Sequence, residues 1–161
     1  MAELTPENAE KFARKIFLND RVKKEGEWHI FHSKAVADTA LLLSGESYVD
    51  RLLLQEASWL IDIGQTIGNN VNHPLRSLEM AKEEFELSEK LKDCIINHES
   101  VNEPICDEAR IIQIADKVSI LRPELVKLFC KYSRVNPLEK EWNIKFLESL
   151  TSKLPDLLRK I

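Results

Sequence analysis

Apolar residues recur along this chain at intervals of three and four, the spacing that places them on one face of an α-helix. Thr5-Pro6 offers an N-cap followed by a proline at the first helical position, and Phe12, Ile16 and Phe17 continue the stripe, predicting a helix over about 6–18. From His29 to Ser44 the chain is apolar nearly throughout, as a core helix would be, and Gly45 stops it. Ser47-Tyr48-Val49-Asp50 resembles a capping box for a third helix through Leu53, Leu54, Ala57 and Leu60 to Gly64. A polar loop, Gln65 to Asn72, separates it from a helix that Pro74 starts and that ends near Phe85. Ser88 caps the next helix, which runs through Leu91, Cys94, Ile95 and Ile96 toward His98. Pro104 marks a turn, Asp107 can cap a helix through Val118, and Pro123 and Pro137 each begin another. Strand-like alternation is absent, so the pattern predicts an all-α fold of seven or eight helices.

The length of 161 residues fits one domain, and four Gly with six Pro against 43% apolar residues exclude a disordered or collagen-like chain. Uninterrupted apolar stretches such as Ala40-Leu41-Leu42-Leu43 are far below the roughly 20 residues a membrane span requires. The N-terminal segment lacks the apolar centre of a signal peptide, so a cytoplasmic protein without membrane contact is expected. A net charge of −4 with scattered basic residues argues against binding nucleic-acid duplexes, while a local pocket for a small anion remains open. Cys94, Cys106 and Cys130 form no CxxC pair, which fits reduced thiols in that compartment.

Candidate chemistry lies in the polar residues set among apolar ones. Asp62 follows Trp59-Leu60-Ile61, and Asp116 is embedded in Ile111-Ile112-Gln113-Ile114-Ala115. Burying a carboxylate costs several kcal/mol unless it meets a cation or a full set of donors. Either residue alone has an ordinary explanation: loop N–H groups for Asp62, and Lys117 or Arg110 for Asp116. The four histidines, His29, His32, His73 and His98, fall by this reading at helix ends or beginnings, with His29 solvated beside Trp28. Taken together, two such carboxylates and several histidines point to one shared cation.

The order of these residues resembles the HD superfamily of metal-dependent phosphohydrolases, an all-helical family with ligands in the order His, His-Asp, Asp. HSKAVADTALLLS is similar to the family's first-ligand helix, matching His32. EASWLIDIG is similar to the doublet element, and NHPLRSLEMAKE and INHES match His73 and His98 to the positions of a second metal. IIQIADKVSIL resembles the last ligand segment, matching Asp116. The likeness covers about residues 28–122, leaving helices over 123–161 beyond it. One departure is large: the doublet's histidine is Ile61, which has no lone pair to offer a cation. A milder one is Glu99, where many relatives carry another histidine.

The resemblance implies a divalent ion, Mg²⁺, Mn²⁺ or Fe²⁺, held by His32, Asp62 and Asp116. Asp62 and Lys117 are the implied catalytic residues, and His73, His98 and Arg76 are candidates for a second metal or for the substrate phosphate. The expected reaction is hydrolysis of a phosphomonoester or nucleotide, with loops 19–28, 64–73 and 99–106 setting specificity. The alternative is a catalytically degenerate relative that keeps the pocket as a binding or regulatory module. A third reading makes Trp142, Phe146 and Leu150 a partner-binding stripe. A homodimer is compatible with the sequence, which identifies no patch for one.

Overall fold

The computed structural model describes residues 1–19, 23–67, 71–99 and 103–133, with backbone alone at 23–25, 129, 130, 132 and 133, and isolated positions 141, 144, 145, 148, 149 and 152. The expected helix after Pro137, the stripe Trp142, Phe146 and Leu150, and the Cys130 side chain lie outside these residues. Seven α-helices occur among the described residues: α1 (Pro6–Phe17), α2 (Lys23–Ser44), α3 (Arg51–Leu60), α4 (His73–Glu84), α5 (Glu89–Asn97), α6 (Asp107–Val118) and α7 (Pro123–Ser133). No strand occurs among them beyond an isolated bridge between Ala2 and Phe85. The fold is all-α, as the periodicity predicts.

Local signals explain most of the boundaries. Thr5 Oγ1 accepts the N–H of Asn8, and Ala9, Ala13 and Phe17 form the buried stripe of α1 at a spacing of four. Ser88 caps α5 by accepting the N–H of Leu91. Gly45 ends α2 in the left-handed conformation, with φ of 51°, which glycine adopts without penalty. Four expectations need correction. α2 begins at Lys23 rather than His29, so His29 and His32 lie inside a helix and not at its start. The cap of α3 is Asp50, whose carboxylate takes the N–H groups of Leu52 and Leu53, rather than Ser47. α3 stops at Leu60, and a 3-10 turn over Ile63–Thr66 occupies the expected helix end and the start of the expected loop. The N-cap position of α6 is Cys106 rather than Asp107.

α3 is the axis of the fold, touching α1, α2, α4, α5 and α6. Its Leu53, Leu54, Ala57, Trp59 and Leu60 are buried, and Ile61 continues that core without exposure. A helix enclosed on so many sides carries its C-terminal end, and with it Asp62, to the middle of the molecule. α5 and α6 run side by side, their starts joined by Lys90 and Glu108 and their ends by Gln113, which donates to the carbonyls of Asn97 and Glu99. The ends of α3, α5 and α6 and the start of α4 thereby meet beside the middle of α2.

Candidate metal centre

Each polar residue of this junction is held by its own element. Asp62 occupies the bend between α3 and the 3-10 turn. Gly64, two residues on, lies so close to α4 that a Cβ would stand 2.5 Å from the His73 carbonyl oxygen and 2.6 Å from the Ser77 nitrogen. Ser77 Oγ accepts the N–H of Gly64 and donates to the carbonyl of Ile61, clasping α4 onto the bend. The clasp draws His73, the first residue of α4, against Asp62. His98 caps the end of α5, His32 faces inward from α2, and Asp116 comes from the last turn of α6. All five side chains are buried.

Two ligand groups result, and Asp62 belongs to both: His32 with Asp62 and Asp116, and Asp62 with His73 and His98, the ligand atoms of each group lying within 4.8 Å of one another. In the first, His32 Nδ1 is 3.1 Å from Asp62 Oδ2, and its Nε2 is 3.5 Å from Asp116 Oδ1. Lys117 Nζ lies 2.5 Å from Asp116 Oδ2, closing the far side. In the second, Asp62 Oδ1 lies 3.3 Å from His73 Nε2 and 3.6 Å from His98 Nε2, and the two imidazole nitrogens are 2.9 Å apart.

Burial works against charge throughout this junction, yet the partners outweigh it. For Asp62 it would raise the carboxyl, but its contacts with the imidazoles of His32, His73 and His98 hold it well below the usual carboxylate range. For His32 it would depress the imidazole, but the Asp62 hydrogen bond and the charges of Asp116 and Asp62 raise it. Lys117 is likewise raised, the Asp116 carboxylate overcoming desolvation.

The donor set fits a divalent ion. His98 Nδ1 lies 2.7 Å from the Ile95 carbonyl oxygen, which can only accept, so this nitrogen carries the hydrogen and Nε2 presents a lone pair inward. That lone pair, an Asp62 oxygen and His73 Nε2 converge on one region, and such a convergence of acceptors calls for a cation between them.

Every residue expected at the metal sites lies at this junction. Ile61 is turned into the apolar core, and its carbonyl takes part through Ser77. Arg76 donates to the carbonyls of Gly64 (3.0 Å) and Val71 (2.6 Å), bracing the segment that leads into α4. His29, expected in solvent, is buried and stacked on Phe17 with ring centroids 5.0 Å apart. Sequence reasoning passed over Gln65, whose amide nitrogen is 2.7 Å from Asp62 Oδ1 and 3.3 Å from His73 Nε2. It also passed over Trp28, stacked on the His32 ring at 5.8 Å. A glutamine opening a polar stretch carries no signal of its own; only the bend after Asp62 turns it inward.

The HD domain family matches residues 30–121. Three similar proteins are each named Ribonuclease Y. That of Treponema pallidum is 28% identical over 123 residues, 75% of this chain and 23% of its own length. Those of Thermoanaerobacter pseudethanolicus and Desulforudis audaxviator are each 35% identical over 94 residues, 57% of this chain and 18% of their own. The chain therefore spans about a fifth of the length of these relatives. No solved structure matches it significantly. With the family pattern covering more than half its residues, the chain belongs to the HD domain family, whose members are metal-dependent hydrolases.

Proposed function

We propose that this chain hydrolyses a phosphoester of a nucleotide or of a short single-stranded ribonucleotide chain, using a divalent ion held at Asp62. The observation that carries the reading is that one buried carboxylate is shared by two groups of ligands. A bound ion supplies positive charge to a phosphate oxygen and acidifies a water for in-line attack. The chain's own residues would do the rest. Asp62 anchors the ion, and the three imidazoles around it hold its carboxyl well below the usual carboxylate range, ionised for that task. Lys117, whose side chain retains 27% exposure, is the partly solvated cation of the site and can leave Asp116 for an incoming phosphate. His32, held between two carboxylates, can return a proton to the departing oxygen.

The name Ribonuclease Y borne by the relatives favours a phosphodiester of ribonucleotides over a free monoester. The acidic balance of the chain, −4 overall, favours short or single-stranded substrates over duplexes. The test is a panel of nucleoside monophosphates, dinucleotides and short RNA strands, each incubated with Mg²⁺, Mn²⁺ or Co²⁺. Hydrolysis that stops with chelator is expected. Protein that retains an ion yet turns over no member of the panel would overturn the reading.

A further inference from the structure

The two ligand groups around Asp62 differ in what already occupies them, and the difference decides where an ion sits. Beside Asp116 the chain supplies its own cation: Lys117 Nζ is 2.5 Å from Asp116 Oδ2, and that carboxylate is buried. His32 stands between the carboxylates with one ring nitrogen toward each, 3.1 Å from Asp62 and 3.5 Å from Asp116. The neighbour that could have added another donor, Ile61, is hydrocarbon packed in the core.

The group on the other side is made of one carboxylate and two imidazoles. The hydrogen on His98 Nδ1 is fixed by the Ile95 carbonyl at 2.7 Å, so the Nε2 lone pair points at His73 Nε2, 2.9 Å away. His73 Nδ1 faces the Glu99 carboxylate at 3.6 Å, which favours the hydrogen on that nitrogen and leaves the other as an acceptor. Asp62 Oδ1 completes the set. Two imidazole lone pairs at that separation repel unless a cation stands between them. Gln65 is placed at the same atoms, its amide 2.7 Å from Asp62 Oδ1 and 3.3 Å from His73 Nε2, and would yield to an ion.

We propose that this chain binds one tight divalent ion, at Asp62, His73 and His98, and that the Lys117 ammonium stands in for a cation beside Asp116. Two imidazoles and one carboxylate select a borderline ion, Mn²⁺, Fe²⁺, Co²⁺ or Zn²⁺, over Mg²⁺, which prefers an all-oxygen shell. The inference rests on the proposed hydrolytic function only for its purpose; the ion's seat can be tested without turnover.

The experiment titrates metal-free protein with Mn²⁺ by calorimetry and records the pulsed electron paramagnetic resonance spectrum of the complex. One ion per chain is expected, coupled to two imidazole nitrogens, and a hundredfold excess of Mg²⁺ should not displace it. His98→Ala should weaken binding by more than about 100-fold, beyond the range typical of residues that merely support a ligand. Asp116→Asn should change it less than threefold, and Lys117→Met should admit a second ion. Coupling to a single nitrogen, or loss of the ion in Asp116→Asn with retention in His98→Ala, would overturn the assignment. If His98→Ala does not fold, His73→Gln carries the same decision, and the nitrogen coupling of the unaltered chain decides without any variant. Turnover on the nucleotide panel is scored separately. An ion at the two imidazoles without hydrolysis refutes the function and not the seat, and hydrolysis with the ion at His32 does the reverse.

Discussion

Four carboxylates are buried among the described residues, and they fall into two regions that solve the same problem differently. Asp62 and Asp116 lie where the ends of α5 and α6 meet; Glu108 lies at the start of α6, and Asp93, midway along α5, faces the residues that lead into that start. On α6 itself Glu108 and Asp116 are separated by about 12 Å of helix. In the region of the α6 start, Asp93 accepts the N–H groups of Ile105 (2.9 Å) and Cys106 (2.8 Å) and the Asn97 amide (2.6 Å). Glu108 accepts the N–H of Asp50 and the Lys90 ammonium. These donors can only donate. The Asp62 carboxylate instead faces imidazoles, which donate in one state and ligate in another. Burial of a carboxylate thus says nothing of function; the exchangeability of its partners does. Asp93 and Glu108 tie Ile105, Cys106 and the α3 cap in place, and Asp62 is left free to trade its hydrogen bonds for an ion.

Removing one carboxylate from each region separates the two roles most strongly. Asp62→Asn should abolish hydrolysis and lower ion affinity by more than about 100-fold, since it takes a ligand from both groups. Adding Mn²⁺ should raise the melting temperature of the unaltered chain and leave that of Asp62→Asn unmoved, because only a native state that binds the ion gains from it. A variant that still gains stability from Mn²⁺ would show that the ion does not need this residue.

Asp93→Ala should do the opposite. It strands three donors and costs about 3 kcal/mol, lowering the melting temperature by roughly 6–12 °C, equally with and without Mn²⁺. The acid limb offers a second reading of the same residue. Burial alone would raise the Asp93 carboxyl, but the Cys106 N–H, the Asn97 amide and the Ile105 N–H hold it below its ordinary value. Its folded-state value is therefore the lower one. The stabilisation is present above the unfolded carboxylate range near about 4 and disappears as pH falls through the folded value. Melting curves between pH 6 and 3 should converge for Asp93→Ala and the unaltered chain. Curves that stay parallel would mean that the carboxylate's charge contributes nothing.

The fold and the site were legible to different depths. The class, and the starts at Thr5, Pro74 and Ser88, follow from periodicity and from residues that act within one turn of themselves. The start of α2 was not legible, because Lys23 to Trp28 carries almost no apolar signal and is helical through its packing on α1. Of the four buried carboxylates, the two in apolar runs stood out. Glu108 did not, because a glutamate at a helix start has a ready explanation as a dipole partner, and its true partners, Asp50 and Lys90, are distant in sequence. Pairing across 18 and 58 positions is set by tertiary structure alone.

The smallest expected effect concerns a carboxylate that belongs to neither region. Glu56, on α3, is half-buried, and burial followed by the nearby Asp50 charge pushes its carboxyl up to about 7. Here the sign reverses. The folded value exceeds the unfolded one, so the protonated form favours the native state below about 4.5, and that advantage is lost as pH rises through 7. Above that, folding holds a carboxylate in a place where ionisation is disfavoured. Glu56→Gln, which keeps the shape without the charge, should raise the melting temperature at pH 8.5 and leave it nearly unchanged at pH 5. Because much of the side chain still meets water, the gain should stay at or below about 1 kcal/mol. A Glu56→Gln chain no more stable than the parent at pH 8.5 would show that solvent or a small shift of α3 relieves the charge. Glu56 would then be free of any obligation to its surroundings, neither braced by fixed donors like Asp93 nor poised for an ion like Asp62.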